Sequence, residues 1–568
     1  MLNFVVANLC SVYNRLKVKE EVVKKIISLS VIILLLIFIF ACSNEHGHVH
    51  EFNQQLETEE YLKSKGTCTD YEVYYYSCAC GAKGTETFEG TSKGEHDYEY
   101  KTIGEVGHVE YYECKHCHKT NKLELPKINI NTNGETITDD YIATTISVSR
   151  CLDEYKLTDI PASVKIRGNG SAEYNKKPFR IKFDTKQGML GLNDGLKAKS
   201  WVLINEYNDR SRMRNFAAYF ISNYLFNHDG YYSTDMRFVE VYINDIYNGI
   251  YLLAEQQQVN KGRVNINEPD KDYTGTDIGY LIELDTYYYE EIELETFAID
   301  YKYPLKYTNG KSCSLRKFQN HYTIKSDVYS MEQNNFIKDV TENIFFILYD
   351  TLNITHDTYY YTLDDNFNLV KDYNIKSERE AVERVLDLGS YIDMFIIQNI
   401  AQNVDIGWSS FYLAFDASSK GSKKLIFEAP WDFDWAMGSC YPFKEGMFCI
   451  DQDTSGRDTT LADYVNPWML LFANCDWFLD LVKERWNQLQ KTSCFDDLYL
   501  AIDILTNDYS SYFAQEFAKY PDSLTKVLDR SKATHEYTDN TTHYTSAMYL
   551  LNYIKQFEQY YDSIWLTE

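Results

Sequence analysis

The chain has 568 residues, of which 44% are hydrophobic, and this length exceeds what one core usually organises, so two or more folding units are expected. Its formal net charge of -28 argues against nucleic acid as a partner, because the phosphate backbone would be repelled. The sequence also lacks the H-E-x-x-H and Walker A patterns, so neither a zinc protease nor a P-loop enzyme is indicated.

The N-terminal segment, residues 1–42, predicts export. Four lysines between residues 17 and 25 precede an apolar run from residue 26 to residue 41, and Cys42 follows at once. This order is typical of an export signal, and residues 39–42 resemble the lipobox of bacterial lipoproteins, which implies that Cys42 is lipidated. The alternative is an uncleaved N-terminal anchor. Both interpretations place the rest of the chain on the extracytoplasmic face of the cell membrane, tethered to it.

Residues 43–126 predict a small β repeat module that is rich in cysteine and histidine. His50 stands upstream of a turn that carries two cysteines, and His96 stands upstream of a second such turn, so the segment repeats. The candidate metal ligands of the two copies are Cys68, Cys78, Cys80, Cys114, Cys117, His50 and His96.

Two chemistries fit these cysteine turns. A tight turn holds two thiolates at neighbouring positions of a tetrahedral zinc ion, and histidines can complete the shell, which predicts one or two structural zinc sites. A domain this small needs a bound metal ion or a similar cross-link to be stable. In an oxidising exterior the same cysteines could instead form disulfides. Neither alternative gives the module catalysis, since a fully ligated zinc ion has no open position.

A linker around residues 125–135 marks the boundary of the main domain, residues 127–568, because it combines Pro126 with a cluster of Asn, Thr and Gly. The main domain predicts a mixture of strand and helix.

A glycine-bearing turn lies between two predicted strands, residues 163–166 and 179–183. The turn, residues 167–171, offers backbone amides, and Arg167 and Lys182 add positive charge, so this region could cover phosphates. The alternative is an ordinary hairpin with a solvated outer face.

Strands and helices alternate further along the chain. Residues 200–204 predict a strand that leads into a helix capped by Asn208 or Asp209. Residues 238–254 predict a hairpin whose turn contains Asn248 and Gly249. From about residue 460, apolar residues recur at spacings of three and four, which predicts a helical C-terminal part.

Two short acidic segments suggest a metal site. Asn403 and Asp405 lie in the first segment, and Asp432 and Asp434 lie among aromatic residues in the second. Like charges held against apolar surface repel each other and lose hydration, which is tolerable mainly when a cation neutralises them. Magnesium suits such carboxylates, particularly when phosphate oxygens complete its shell. The alternative is that Asp432 and Asp434 cap a turn after a strand.

Taken in order, these segments resemble the CotH family, named for a spore coat protein. The resemblance covers roughly residues 127–500 and rests on residues 167–171 with 176–183, 200–215, 237–255, 279–285, 301–304, 403–405 and 430–438. Members of that family have an atypical protein-kinase-like fold. Some of them transfer phosphate from ATP to Ser or Thr of surface proteins, and others act as coat or adhesion proteins.

The resemblance implies roles for individual residues. Asp405 would accept the proton of the substrate hydroxyl, and Asp432, with Asp434, would replace the metal-binding Asp-Phe-Gly of ordinary kinases. Lys182 would be the phosphate-binding lysine. Two further assignments remain open: Glu255, Glu206 or Glu240 could pair with Lys182, and Asn403 could serve as a metal ligand.

The sequence therefore predicts an α+β protein: a Cys/His-rich β repeat module followed by a kinase-like CotH domain with a helical C-terminal part. The expected function is a membrane-tethered, extracytoplasmic Ser/Thr protein kinase that uses ATP with magnesium or manganese and acts on surface or coat proteins. The alternative is a non-catalytic surface, coat or adhesion module with a degenerate kinase-like fold.

Overall fold

The structure is a computed structural model that describes residues 48–104, 108–301, 304–313, 317–355, 358–439, 443–451, 465–525 and 541–566. The predicted export signal and the predicted lipidation site, Cys42, lie outside the described residues. Within the described ranges, every helix is too short or too polar to cross a membrane.

The described chain divides into two compact units. The first contains the residues up to Tyr98 together with Cys114–His118, and the second contains Glu99–Glu113 and the residues from Lys119 onward. This division differs from the predicted boundary at residue 126, because Val109 and Leu125 are buried in the large core of the second unit.

The first unit contains a small antiparallel sheet of three strands in the order β1-β2-β3. Their bounds are β1 (Leu62–Ser64), β2 (Tyr71–Ser77) and β3 (Lys83–Lys93). Most of the sheet is exposed or half-buried, and Tyr61 and Tyr74 are the large apolar side chains that the described part of this unit buries. So small an apolar core contributes little stability by itself.

The second unit begins with short strands and continues into a closed barrel. The strands β4 (Tyr98–Ile103), β5 (Val109–Cys114) and β6 (Thr120–Lys122) form a sheet of their own. The barrel order is β10-β11-β13-β12-β7-β8-β9. Its bounds are β7 (Lys127–Asn131), β8 (Ile142–Ser149), β9 (Leu157–Ile166), β10 (Phe179–Gln187), β11 (Ala198–Ile204), β12 (Met236–Ile243) and β13 (Ile246–Glu255).

Alternation along the strands explains why the barrel closes around a core. On β10, Phe179, Ile181 and Phe183 are buried inside the barrel, whereas Arg180 and Lys182 face outward. This period of two is the pattern of a strand with one face in a core. It confirms the predicted strands at residues 163–166 and 179–183. Neighbouring strands are antiparallel except for β7 and β12, which pair in parallel.

The predicted hairpin is present, but its predicted turn is wrong. The chain reverses at Asn244 and Asp245, where β12 ends and β13 begins, and Gly249 lies inside β13. Both turn residues have positive φ, 49° and 64°. A two-residue hairpin turn needs positive φ at both positions, and Asn and Asp tolerate it when glycine is absent.

A second sheet and most of the helices build the larger core. The sheet order is β15-β16-β14-β19-β20, and two further strands, β17 and β18, form a separate hairpin. The bounds are β14 (Gly279–Leu284), β15 (Thr296–Ala298), β16 (His321–Ile324), β17 (Tyr360–Leu363), β18 (Leu369–Asp372), β19 (Phe411–Asp416) and β20 (Leu425–Phe427).

The helices confirm the mixed α+β class and the predicted helical C-terminal part. Short helical turns occur at Leu192–Gly195, Pro467–Leu470 and Asp522–Thr525. The longer helices are α1 (Arg214–Phe226), α2 (Met331–Asn353), α3 (Glu378–Val385), α4 (Leu388–Ala401), α5 (Asp476–Leu489), α6 (Cys494–Asn507), α7 (Ser510–Lys519) and α8 (His543–Trp565).

Helix α1 starts later than the sequence predicts. Asp209 does not cap it; its carboxylate accepts hydrogen bonds from the backbone N–H of Ser211 and of Arg214, both at 2.8 Å, and pairs with the Arg214 guanidinium. Burial alone would raise the pKa of Asp209, but Arg214 and these bonds hold that pKa below its ordinary value. The acid therefore stabilises a buried turn that leads into the helix.

His543 links the last helix to that turn. Its ring stacks on Phe513 of α7, with ring centroids 4.0 Å apart, and its Nε2 donates to the carbonyl of Ser211 at 3.1 Å. Burial, together with the nearby Arg212, lowers the pKa of His543 to about 4. The imidazole is therefore neutral in the folded protein at neutral pH.

This pKa predicts acid sensitivity. In the unfolded chain His543 takes up a proton below its ordinary pKa of about 6.5. Stability is therefore lost as the pH falls from about 6.5 towards about 4. We expect His543 to cost about 2 kcal/mol of the free energy of unfolding between pH 7 and pH 5. Denaturant unfolding of the wild type and of His543→Phe at both pH values measures this, and an equal pH dependence in the two proteins would contradict it.

Candidate functional site

The second unit encloses a cavity of about 660 Å³. Its wall combines the turn after β9, the segment after β11, the end of β14 and the loops that follow α4 and β20. Lining residues include Arg167, Gly168, Ser171, Glu206, Asn208, Glu283, Asp285, Lys325, Asp405, Ser410, Trp431, Asp432 and Asp434. The cavity thus contains the three aspartates on which the predicted metal site depends.

Asn403 joins the two acidic segments. Helix α4 ends at Ala401, and the Asn403 side chain follows with two bonds: its Nδ2 donates to the carbonyl of Asp432 at 3.0 Å, and its Oδ1 accepts the Asp405 N–H at 3.0 Å. A further bond, from the Met437 N–H to the Ala401 carbonyl at 2.6 Å, holds the second loop to the helix end. Both bonds of the Asn403 side chain go to backbone, so it positions the two aspartates. Asn403 itself is not among the residues that line the cavity.

Asp432 is held by its neighbours. The Ser410 hydroxyl donates to Asp432 Oδ2 at 3.3 Å, and the Asp432 N–H donates to the Tyr219 hydroxyl at 3.4 Å. The Arg167 guanidinium lies 5.7 Å from the centre of the Trp431 ring and acts electrostatically on Asp432. Arg167 therefore places positive charge beside this carboxylate.

The backbone of these loops is strained. Asp432 has a φ of 65°, Ser410 of 62° and Ala429 of 58°. Such left-handed conformations cost non-glycine residues free energy, and they persist where the surroundings impose them, commonly at functional sites. Three of them within two adjoining loops indicate that the position of Asp432 is imposed by the fold.

Burial and neighbouring carboxyl groups disfavour the ionisation of several acids of the cavity. Burial, Asp432, Asp405 and Glu206 raise the pKa of Asp434 well above its ordinary value, and burial raises the pKa of Asp432. Burial and Asp209 raise the pKa of Glu206 to about 8. Among the described residues that line the cavity, eight are Asp or Glu and four are Lys or Arg. A divalent cation fits this excess of oxygen ligands, and Asp432 and Asp434 are the residues that could hold it.

Lys325 is the residue that the sequence interpretation missed. Its Nζ lies 3.3 Å from Glu283 Oε2, 3.5 Å from Asp285 Oδ2 and 3.2 Å from Glu291 Oε1. Burial lowers its pKa, but these carboxylates outweigh that effect and raise it, so the ammonium stays charged. Glu283 also accepts the Ser410 N–H at 2.7 Å, which connects Lys325 to the loop that bonds Asp432. A usable signal was the lysine directly after an apolar strand.

Lys182 and Glu255 are not brought to the cavity. Lys182 is exposed, and its ammonium lies 5.7 Å from the centre of the Tyr141 ring. Arg180 faces outward on the same strand, one repeat closer to the glycine-bearing turn, and lines the cavity instead. Glu255 is buried and pairs with Arg263 at 3.0 Å. Glu255, one of the three glutamates left open as partners of Lys182, therefore pairs with Arg263 instead.

The glycine-bearing turn does line the cavity. Gly168 has a φ of 84°, and a Cβ at this position would lie 2.3 Å from Ser171 Oγ. The positive φ therefore favours glycine at this position. The turn therefore presents backbone to the cavity together with the side chains of Arg167, Asn169 and Ser171.

The predicted cysteine and histidine ligands all lie in the first unit and form two groups. Cys78 and Cys80 group with His50, as predicted, and with His48. Cys114 and Cys117 group with His96, as predicted. Cys68 lies in the first copy of the repeat but joins the second group, which sequence order alone did not indicate.

These observations define a mixed α+β protein whose larger described unit contains a carboxylate-rich cavity lined also by two arginines and two lysines. The chain belongs to the CotH family: the family's sequence profile, described as CotH kinase protein, matches residues 164–561, which is more than half of the chain. A comparison with curated proteins gave no match.

The two bonds of Asn403 predict a stability cost. Asn403→Ala leaves the Asp405 N–H and the Asp432 carbonyl without their partner in a buried setting, which costs about 1–3 kcal/mol for such groups. We expect a loss of that size in denaturant unfolding. Asn131→Ala is the matched control, because Asn131 Oδ1 makes the same kind of bond, to the Asn133 N–H at 3.0 Å, at an exposed site. Equal losses in the two variants would contradict the special role of Asn403.

Proposed function

We propose that this protein is a membrane-tethered, extracytoplasmic protein kinase with a kinase-like fold that transfers phosphate from ATP to Ser or Thr of surface or coat proteins. The observation that carries the proposal is the convergence of Asp405, Asp432 and Asp434 in one cavity with Arg167 and Lys325. The family match supports the kinase-like class. The tether and the location rest on the sequence of residues 1–42 alone.

Phosphoryl transfer requires little covalent chemistry from the protein. It needs an oriented hydroxyl, a proton acceptor and positive charge around the phosphates. A divalent ion such as magnesium, held by Asp432 and Asp434, would supply charge neutralisation for the triphosphate. The chain supplies the remaining functions.

Each remaining function has a candidate group on the cavity wall. Asp405 would accept the proton of the acceptor hydroxyl, since it lines the cavity beside the metal carboxylates. Arg167 and Lys325 would bind phosphate oxygens. The glycine-bearing turn lines the cavity with the backbone of Gly168 and Gly170, which allows close approach of the phosphates.

A second candidate function is a non-catalytic surface, coat or adhesion module. The observation that favours it is that Lys325 already contacts three carboxylates, while Lys182 lies outside the cavity. A cation compensated in this way attracts phosphate less strongly than an uncompensated one. ATP binding separates the two functions.

The acidic residues predict separable defects. In the full-length protein, Asp432→Asn should abolish magnesium-dependent ATP binding in calorimetry, because a metal ligand is lost. Asp405→Asn should retain that binding but lower phosphate incorporation, into the protein itself or into casein, by about a hundredfold or more, the usual contribution of a general base. Asp184→Asn, on the outer face of the barrel, is the control. Absence of metal-dependent ATP binding in the wild type would favour the non-catalytic function.

Substituting Lys325 and Lys182 compares the phosphate-binding lysine that the structure indicates with the one that the sequence predicts. Lys325→Met should weaken ATP binding about tenfold or more, about 1.4 kcal/mol, because a cavity cation is lost. Lys182→Met should leave it unchanged. Because Lys325→Met strands buried carboxylates, Lys325→Met with Glu283→Gln serves as a second variant that limits unfolding. A larger loss in Lys182→Met than in either Lys325 variant would reverse the assignment.

A further inference from the structure

The first unit gathers cysteine and histidine side chains into two compact groups of four. The first group is His48, His50, Cys78 and Cys80, and the second is Cys68, His96, Cys114 and Cys117. Within each group of these described residues, the four ligand atoms all lie within 4.8 Å of one another. The second unit and its cavity contribute nothing to either group.

The distances fit the edges of a metal tetrahedron. In the first group, His48 Nε2 lies 3.0 Å from Cys78 Sγ, and His50 Nδ1 lies 3.3 Å from Cys80 Sγ. In the second group, Cys68 Sγ lies 3.4 Å from Cys114 Sγ, and His96 Nδ1 lies 3.3 Å from Cys117 Sγ. Zinc bonds of about 2.0–2.3 Å to nitrogen and sulfur place tetrahedral neighbours roughly 3.3–3.8 Å apart. Three of the four distances lie in this range, and the His48–Cys78 distance of 3.0 Å is slightly shorter.

Disulfides account for these groups less well. The groups contain five cysteines, an odd number, and all five are unbridged in the structure. In the first group the two cysteines are separated by a single residue, which is too short for an unstrained bridge. Disulfides would also leave the three histidines without a function, whereas two four-ligand metal sites use all eight side chains.

We infer that the first unit binds two zinc ions, one in each group, as structural metals. Thiolate and imidazole together favour zinc over magnesium or calcium, which prefer oxygen ligands. Four protein ligands close each coordination shell, so neither ion has an open position for a substrate. The inference does not depend on whether the second unit transfers phosphate.

The small apolar core of this unit explains what the ions do. Tyr61 and Tyr74 are its large buried apolar side chains among the residues described, and Cys78 and Cys114, one from each group, are also buried. Where a core is this small, metal binding supplies folding free energy that apolar burial cannot. The zinc ions therefore stabilise this unit in place of a larger apolar core.

The two sites are not equivalent. The first takes its ligands from residues 48–50 and from the turn after β2, all within one copy of the repeat. The second is completed by Cys68, which lies before β2 in the first copy and reaches Cys114, 46 residues further along the chain. The second ion therefore connects the two copies. It also has three thiolate ligands, whereas the first ion has two.

Metal analysis of the full-length protein, purified with zinc under reducing conditions, tests the inference. We expect two zinc ions per chain. Cys78→Ser and His50→Ala should each reduce the content to one, and so should Cys114→Ser and Cys68→Ser. His116→Ala is the matched control, because His116 is an exposed imidazole next to Cys117 that lies outside both groups. Cys151→Ser is the corresponding cysteine control from the second unit.

Cobalt substitution keeps the test decisive if a variant unfolds locally. The cobalt form of Cys78→Ser should retain the thiolate charge-transfer absorption of a three-sulfur site, and that of Cys114→Ser should retain the weaker absorption of a two-sulfur site. Two outcomes would overturn the inference: wild-type protein with no bound zinc and with cysteines that resist alkylation until reduced, or a zinc content that is unchanged in all four ligand variants.

Discussion

Electrostatic repulsion among buried carboxyl groups is the constraint around which the second unit is built. Asp405, Asp432, Asp434 and Glu206 line one cavity. Burial and the other three carboxyl groups raise the cost of ionising Asp434, whose pKa lies well above its ordinary value. A chain free to move would separate them. The structure holds them together by bonds to backbone, chiefly those of Asn403, and by left-handed residues in the two loops. Such an arrangement favours a bound cation.

The rest of the unit supplies the rigidity that this arrangement needs. The barrel carries the glycine-bearing turn and Arg180 on one wall, and the five-stranded sheet carries Glu283 and Lys325 on another. Helix α1, buried on almost every side, lies behind the second acidic loop, where Asn215 accepts the Phe433 N–H at 2.7 Å. Regular elements with apolar cores thus fix the ends of the loops, and polar side chains fix the loops themselves.

Sequence patterns were sufficient where the signal is local. Alternation predicted several strands of the barrel, and helical spacing predicted the C-terminal helices. Like charges among aromatic residues indicated a metal site at Asp432 and Asp434, and the family resemblance placed Asp405 with them. Alternation along the strand also placed Arg180 and Lys182 on the same outer face of β10, but it did not indicate which of them lies nearer the cavity. That choice depends on where the turn folds over the barrel.

The positions of Lys325 and Cys68 depend on contacts between residues far apart in the sequence, so local patterns did not predict them. Lys325 reaches Glu283 because β16 pairs with β14, matching Ile324 with Ile282, and no local pattern encodes that register. Cys68 likewise joins a group whose other members, His96, Cys114 and Cys117, lie after β3, and no local pattern indicates that contact. The hairpin turn was misplaced because Asn-Gly is a strong turn signal, yet Asn-Asp, four residues earlier, met the register of β12 and β13.

The parallel pairing of β7 with β12 has a consequence for synthesis. Lys127 is matched with Glu240, so the strand that closes the barrel leaves the ribosome long before its partner exists. Until then β7 exposes an unpaired backbone edge, which is a site of mispairing and aggregation. Formation of such distant contacts is intrinsically slow. The nascent chain is therefore most vulnerable over the interval in which the middle of the barrel is translated, and this is the stage at which a chaperone would have the greatest effect.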